Sequence, residues 1–382
     1  MILKSIEYSQ FSKSPEEWCL DKFSLGQINL LVGKNATGKT RTLNIINGLA
    51  RLVSGEDKLV YSSGDYSLSF DNQGKSVNYF LSYEDAKVSK EELIINGKSL
   101  LERGNGGQGK IYAEQLETYM NFQSPENELA CVARRDSVQH SFFEDLFQWG
   151  KSEYHYLFGS QLGQDKYVVF SKDDKNISIN QKNTKEVVKL FKKGQNEYGD
   201  PFINSIKDDM NLLGYKLNDI GVEPVHGIII KGPTLPENIM GIYIEEEDLQ
   251  HKTYQHEISQ GMFRALSLII QMNLSHLENT PSLVLIDDIG EGLDFDRSIQ
   301  LLNLIINKVK KTNIQLIMST NDRFVMNNVP LEYWLVIQRF GNKCKLFNYA
   351  NAKKIFDDFK FTGLSNFDFL SSEFYLNGFN KE

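Results

Sequence analysis

The segment from Gly33 to Thr40 (GKNATGKT) has the residue types and spacing of a phosphate-binding loop. It matches the pattern GxxxxGK[ST] in full, and it stands between an apolar run, Gln27–Val32, and a stretch with apolar residues at helical spacing. In such a loop, backbone amides and the helix N-terminus hold phosphates, the lysine reaches the β- and γ-phosphates, and the hydroxyl binds Mg²⁺. The sequence therefore predicts ATP and Mg²⁺ as ligands, with Lys39 on the phosphates and Thr40 on the metal. The predicted phosphate-binding residues are Gly33, Asn35, Ala36, Thr37, Gly38, Lys39, Thr40 and Arg41.

Two acids follow the apolar run Leu283–Ile286. An apolar strand that ends in carboxylates is typical of the element that holds Mg²⁺ beside nucleotide phosphates. We expect Asp287 to bind the metal. We expect Asp288 to act as the general base that polarises the attacking water, which requires a carboxylate within hydrogen-bonding reach of that water.

A Ser-x-Gly element, Ser259 to Gly261, opens a long apolar helix, and Gly292-Leu293-Asp294 follows the acid pair. A serine at a helix start is commonly an N-cap. A helix N-terminus is also an anion site, so the same residues suit a nucleotide phosphate.

The order of these motifs resembles that of ABC-type ATPases. The resemblance is to the SMC, RecF and OLD branch, and within it to short prokaryotic "AAA domain" ATP-binding proteins that are often encoded in defence or toxin–antitoxin operons. GKNATGKT carries the Asn35 that this branch favours, ISQGMFR occupies the signature position, and IDDIGEGLD joins the acid pair to the D-loop. The resemblance implies a cytoplasmic ATPase whose two copies stack head to tail around ATP. Ser259 and Gly261 of one copy would cover the nucleotide of the other, Asp294 would cross the interface, and the dimer would switch an effector protein.

The chain departs from the family pattern at two positions. Asp288 stands where the family usually has glutamate, and Asn321 stands where ABC heads have a switch histidine. Asparagine can hydrogen-bond the γ-phosphate but cannot accept a proton. We therefore expect slow hydrolysis, with Glu291 as a substitute base. The glutamine that senses Mg²⁺ in the family has three candidates, Gln73, Gln108 and Gln123, and we favour Gln123.

The alternation of strands and helices indicates an α/β fold. The resemblance implies that this fold is a P-loop NTPase of the ABC-head type, with a mixed sheet, an antiparallel β lobe and a helical insertion. Residues 1–110 are predicted to form an N-terminal lobe, 111–225 a helical lobe, and 226–382 a C-terminal lobe with the signature, acid pair and D-loop.

Individual segments carry more local predictions. Met1–Tyr8 alternates like an edge strand, and Tyr61–Asn96 indicates an antiparallel meander. The glycine cluster Gly104–Lys110 predicts a hairpin tip. A phosphate loop is not predicted there, because Ile111 stands where that motif has Ser or Thr. GIIIKG (227–232) is predicted to be a strand, and Glu332–Phe347 a closing hairpin.

Composition sets the remaining limits. The 382 residues include 42 Lys and Arg against 50 Asp and Glu, a net charge of −8, so overall charge does not favour nucleic acid. Apolar residues make up 41% of the chain, which is typical of globular proteins, and no run approaches the ~20 residues that span a bilayer. The three isolated cysteines suit neither a disulfide framework nor a zinc site. Two alternatives remain open: a nucleotide-gated scaffold that does not hydrolyse ATP, and a RecF-like DNA-binding repair ATPase.

Overall fold

The computed structural model describes residues 1–59, 62–169, 183–225, 239–279 and 281–379. The strands, in chain order, are β1 (Ile2–Gln10), β2 (Trp18–Ser24), β3 (Ile28–Val32), β4 (Ser63–Asn72), β5 (Lys75–Glu84), β6 (Lys87–Ile95), β7 (Lys98–Arg103), β8 (Gln108–Ala113), β9 (Thr118–Gln123), β10 (Glu153–Leu157), β11 (Val168–Val169), β12 (Leu217–Pro224), β13 (Ile239–Glu246), β14 (Thr253–Tyr254), β15 (Ser282–Asp287), β16 (Ile314–Ser319), β17 (Trp334–Phe340) and β18 (Lys343–Asn348). The helices are α1 (Lys39–Val53), α2 (Ala130–Ala133), α3 (Glu144–Lys151), α4 (Val187–Tyr198), α5 (Asp200–Leu212), α6 (Gln260–Glu278), α7 (Phe295–Val309), α8 (Arg323–Asn328), α9 (Tyr349–Lys360), α10 (Asn366–Ser371) and α11 (Phe374–Asn377).

The chain divides into two compact units. The first unit joins Met1–Glu153 to Gln315–Glu382, and the second is the intervening Tyr154–Ile314. The predicted boundaries at 110 and 225 do not coincide with these limits, and the three-lobe division stays a prediction.

A mixed sheet forms the frame of the first unit. Its strand order is β16, β3, β17, β18, β2, β1, β4, β5, β6, β7, β8, β9. Strand β3 pairs in parallel with both β16 and β17, so that Leu30 lies opposite Met318 on one side and Trp334 on the other. All five residues of β3 are buried, and four of them are apolar, as expected for a strand in the interior of a sheet. The fifth, Asn29, donates its side-chain amide to the carbonyl oxygens of Gly26 and Leu316. This central strand leads directly into the predicted phosphate loop.

The part of the sheet from β4 to β9 is antiparallel. Strand β4 alternates, with Tyr66, Leu68 and Phe70 buried on one face and polar residues on the other. The predicted meander and the predicted hairpin tip at Gly104–Lys110 are both confirmed, since β7 and β8 pair antiparallel on either side of a short turn.

Helix α1 buries the apolar face that its spacing predicts. The predicted core positions are Leu43, Ile46, Leu49, Ala50 and Val53, and all are buried. The closing hairpin is also confirmed, as β17 and β18 pair antiparallel from Leu335 with Asn348 to Phe340 with Lys343.

In the second unit, β10 and β15 are neighbours, and β11, β13 and β12 form a small antiparallel sheet to which β14 adds. Helix α6 is buried without interruption from Gly261 to Ser275, as expected for a helix that is apolar on nearly all sides. It contacts α4, α5 and α7.

Two local predictions are corrected by the structure. Strand β1 is not an edge strand, because it pairs with β2 on one side and β4 on the other. The lobe at 111–225, predicted to be helical, also contains the strands from β9 to β12. The predicted strand GIIIKG lies outside the described residues. Within the described residues, no helix has the length and apolar character needed to cross a membrane.

Candidate functional site

The loop between β3 and α1 has the backbone of a phosphate cradle. Ala36 and Gly38 both have left-handed φ values, 61° and 107°. A Cβ atom on Gly33 would lie 2.6 Å from the carbonyl oxygen of Ile337, so only glycine allows β17 to approach this closely. These positions fix the path of the loop, and a turn of left-handed residues of this kind is typical of an anion-binding nest.

Lys39 is held at this loop by its own backbone. Its Nζ donates to the carbonyl oxygens of Gly33 at 2.9 Å and Lys34 at 3.2 Å, and the residue is only 7% exposed. The Thr37 hydroxyl donates to the same Lys34 carbonyl at 2.8 Å. The ammonium group is therefore prepositioned inside the loop, where its charge faces the space a phosphate would occupy.

A cavity of about 360 Å³ opens over the loop. Its lining residues are Trp18, Asn35, Ala36, Thr37, Gly38, Lys39, Thr40, Arg41, Asn321 and Arg339. The structure thus brings the predicted phosphate-binding residues from Asn35 to Arg41 together with the predicted catalytic Asn321. The positive φ values and the buried lysine fit a nucleoside triphosphate in this cavity.

Sequence reasoning missed two residues of this cavity, Trp18 on β2 and Arg339 on β17. The Arg41 guanidinium lies over the Trp18 ring, with its Cζ 3.9 Å from the ring centroid. Burial lowers the pKa of Arg41, and the charge of Arg339 lowers it further. A sequence signal for these residues is weak, since each stands alone in its strand and far from the loop along the chain.

The C-terminal helices brace the same loop. Lys34 forms an ion pair with Glu373, the residue that precedes α11. Tyr375 of α11 donates its hydroxyl to Oε1 of Gln338 at 2.7 Å. The loop is therefore supported from the chain's C-terminal segment as well as from the sheet.

The structure does not bring Gln123 to the phosphate loop. Gln123 ends β9, the last strand in the sheet order, where it lies opposite Gln108 on β8. Gln73 lies in the turn between β4 and β5. None of the three glutamines lines the cavity, so the assignment of Gln123 to the metal has no support in this unit.

In the second unit, the acid pair ends β15. Asp287 is 7% exposed, and its carbonyl accepts a hydrogen bond from the amide of Phe158. Asp288 has a left-handed φ of 54°, which turns the chain sharply at the end of the strand. His155 on β10 lies within the electrostatic range of Asp287: burial lowers the pKa of His155, and Asp287 acts to raise it. This histidine was not among the predicted site residues.

Ser259 is the N-cap of α6, and its hydroxyl accepts from the amide of Met262 at 3.4 Å. Gly261 packs on the loop after β15, since a Cβ on Gly261 would lie 2.2 Å from the Gly292 carbonyl oxygen. The predicted signature residues and the loop at 288–294 are therefore in direct contact.

Arg264 connects the 288–294 loop to residues 159 and 160 through side-chain hydrogen bonds. Its guanidinium donates to the carbonyls of Ser160 at 2.8 Å, Glu291 at 3.0 Å and Gly159 at 3.1 Å, and the residue is 4% exposed. It is a buried structural clamp for the 288–294 loop.

The two remaining predicted residues lie in the same loop. The Glu291 amide donates to the Asp288 carbonyl at 3.2 Å, and a Cβ on Gly159 would lie 2.6 Å from Oε2 of Glu291. Asp294 is the N-cap of α7, and hydrogen bonds from the amide and side chain of Arg297 hold its pKa below the usual range.

Across the described residues, no three or more His, Cys, Asp or Glu side chains are grouped to hold a metal ion. Mg²⁺ is usually held by one or two protein oxygens together with substrate phosphates.

No protein-family model matches the chain, and no curated protein matches it in sequence. Among solved structures, it is similar to an SMC head bound to the C-terminal winged-helix domain of ScpA, with a TM-score of 0.54 and 12% identity over 91% of this chain and 97% of the other. It is also similar to the Smc head domain with an extended coiled coil bound to the C-terminal domain of ScpA, from Pyrococcus furiosus, with a TM-score of 0.50 and 12% identity over 94% and 99% of the two chains. The chain therefore has the fold of an SMC head domain, the ABC-type P-loop ATPase fold that the motif order predicts.

Proposed function

We propose that this protein is an SMC-like ATPase head that binds Mg-ATP and hydrolyses it slowly. The observation that carries the proposal is the cavity over the phosphate loop, in which Lys39 is buried and held by the Gly33 and Lys34 carbonyls. A buried ammonium group inside a phosphate loop suits a ligand that brings several negative charges.

The metal, when bound, would neutralise the developing charge on the β- and γ-phosphates. In the proposal, Thr40 and Asp287 are its protein ligands, as the resemblance in motif order implies. Asp288 is the general base, and the Asn321 side chain donates a hydrogen bond to the γ-phosphate. Because an aspartate is one methylene shorter than the glutamate of the family pattern, we propose that the water is held less closely and that turnover is slow. Glu291 is the substitute base if Asp288 is not required.

We further propose that two copies associate around ATP. The support is the N-terminus of α6, where Ser259 and Gly261 present the positive end of a 19-residue helix. A second copy's phosphates would lie against this end, with Asp294 at the interface. The neighbouring SMC heads were solved with ScpA domains bound, and this supports a protein partner for the present chain. The resemblance to defence-associated ATPases makes an effector our candidate for that partner. With a net charge of −8, we do not favour DNA.

The test is phosphate release from Mg-ATP by the wild type, Lys39→Ala and Asp288→Asn, with oligomer mass measured with and without ATP. Asp296→Asn is the matched control, because Asp296 is an exposed acid in the first turn of α7. We expect turnover to be lost in Lys39→Ala and Asp288→Asn and kept in the control.

The dimer step gives a second readout. Asp288→Asn should accumulate as an ATP-dependent dimer, because it binds ATP without hydrolysing it. ATP-dependent dimers with no phosphate release in the wild type would instead identify a nucleotide-gated scaffold. Absence of ATP binding in the wild type would refute the proposal as a whole.

A further inference from the structure

Two arginines face the cavity over the phosphate loop without a carboxylate partner. Arg41 lies over the Trp18 ring, and Arg339 donates its Nε to the carbonyl oxygen of Gly341 at 2.7 Å. In the parts of the chain that the structure describes, neither guanidinium forms an ion pair, and Arg41 makes no hydrogen bond through its side chain. Most of their donors are therefore open to a ligand.

Placing like charges together in a half-buried pocket is unfavourable unless an anion offsets them. Arg41 is half-buried, and the charge of Arg339 acts on it directly. With Lys39, the cavity holds three cationic side chains and no acidic one among its lining residues. Guanidinium groups bind phosphate oxygens through paired N–H bonds, which suits a chain of phosphates.

Both arginines are attached to rigid parts of the loop's surroundings. The Trp18 indole packs against the loop, since its Cζ2 lies 3.4 Å from where a Cβ of Gly38 would be. Arg339 lies opposite Cys344 in the β17–β18 pair, and the Cys344 thiol donates to the Thr37 carbonyl at 3.2 Å. These contacts fix the Trp18 ring and the backbone of Arg339 relative to the phosphate loop, whereas the Arg339 side chain is exposed.

We infer that Arg41 and Arg339 bind the phosphate chain of the nucleotide, and that Trp18 is a positioning residue that holds Arg41 toward it. This inference rests on the proposed ATP site and adds two residues, Trp18 and Arg339, that the phosphate-loop motif does not contain. Arg339 reaches the site from β17, some 300 positions after the motif.

The test is calorimetric binding of Mg-ATP and of inorganic triphosphate to the wild type, Arg41→Gln, Arg339→Gln and Arg339→Lys. Lys345→Gln is the matched control, because it removes an exposed cation from the adjacent strand β18. We expect each glutamine variant to weaken both ligands by about tenfold or more, as expected for loss of hydrogen bonds to a charged group. Arg339→Lys should recover part of the loss, and Lys345→Gln should bind like the wild type.

Trp18 is tested by a double-mutant cycle with Arg41. If the ring acts through Arg41, Trp18→Leu should weaken binding in the wild type and have little effect in the Arg41→Gln background. Trp18→Phe should restore most of the affinity, because it keeps an aromatic face for the guanidinium.

The outcomes separate this inference from the proposed function. Wild-type binding that Lys39→Ala abolishes but Arg41→Gln and Arg339→Gln leave unchanged would overturn the inference and keep the ATP site. Losses seen with ATP but not with inorganic triphosphate would also overturn it, since the arginines would then contact the ribose or base. No binding by the wild type would refute the proposed function itself.

Discussion

Arg264 is the residue whose replacement should most disturb the loop after β15. Its guanidinium donates to three backbone carbonyls, those of Gly159, Ser160 and Glu291, at 2.8 to 3.1 Å. A hydrogen bond to a charged group contributes about 1.5–3 kcal/mol, so the upper limit for three is about 4.5–9 kcal/mol. Desolvation of the buried charge and regained water contacts reduce this value. We expect Arg264→Met to lower the free energy of local unfolding by about 3–5 kcal/mol, the range for breaking a buried charged network.

The assay is hydrogen exchange of the amides from Glu291 to Leu293, together with urea unfolding followed by circular dichroism. Arg264→Met keeps the length of the side chain, so lost volume contributes little. Arg264→Lys keeps the charge but cannot span three carbonyls at once, and it should fall between the wild type and Arg264→Met. A change below about 1 kcal/mol in Arg264→Met would show that the carbonyls find other partners, and the clamp would then have no energetic role.

Three further changes test the local geometry. Gly38→Ala should weaken Mg-ATP binding, measured by calorimetry, because a φ of 107° strains any residue with a Cβ by about 1–3 kcal/mol; unchanged affinity would show that the loop adapts. Gly261→Ala should lower the free energy of unfolding by about 1–3 kcal/mol, and with it the melting temperature, because the new methyl group overpacks against the Gly292 carbonyl. Gly48 in α1 has open space around it, so the melting temperature of Gly48→Ala should equal or exceed that of the wild type. Burial raises the pKa of Tyr375 to about 12, so the contribution of this shift to stability is complete below pH 10 and is lost as the pH rises toward 12. Tyr375→Phe should remove this alkaline loss of stability in unfolding measurements made from pH 9 to 12. The same pH profile in the wild type and the variant would contradict the assignment.

The features that the sequence predicts well are those carried by neighbouring residues. The phosphate loop, the apolar face of α1 and the hairpins depend on residues within one or two turns of each other, and the structure has them at the predicted positions. Each motif is local, and the order of the motifs along the chain is sufficient to indicate the fold class, that of an ABC-type head.

The features that the sequence does not predict depend on long-range pairing. The interior position of β1 follows from pairing with β4, more than 60 residues away, which its alternating pattern does not reveal. Trp18, Arg41 and Arg339 meet only because β2 and β17 lie close to the loop in the folded sheet. Gln73, Gln108 and Gln123 have the same side chain, so the sequence does not show which of them lies near the phosphate loop. Their positions in the sheet are needed to decide this. The sequence does not distinguish a solvated Arg264 from a buried one, and its burial and hydrogen bonds show that it is an internal clamp.

The strand that carries the phosphate loop has consequences for how the chain is made. Strand β3 is completed early in synthesis, but its two hydrogen-bonding neighbours, β16 and β17, are made only after most of Tyr154–Ile314 has been added. The side chain of Asn29 on β3 donates to the carbonyl of Leu316, 287 positions further on, and contacts of such separation slow folding. The emerging chain must therefore carry a largely apolar strand, INLLV, unpaired on both edges through most of translation. A product that stopped before residue 314 would lack both neighbours of that strand and would leave it exposed, which favours binding by chaperones and cleavage by proteases.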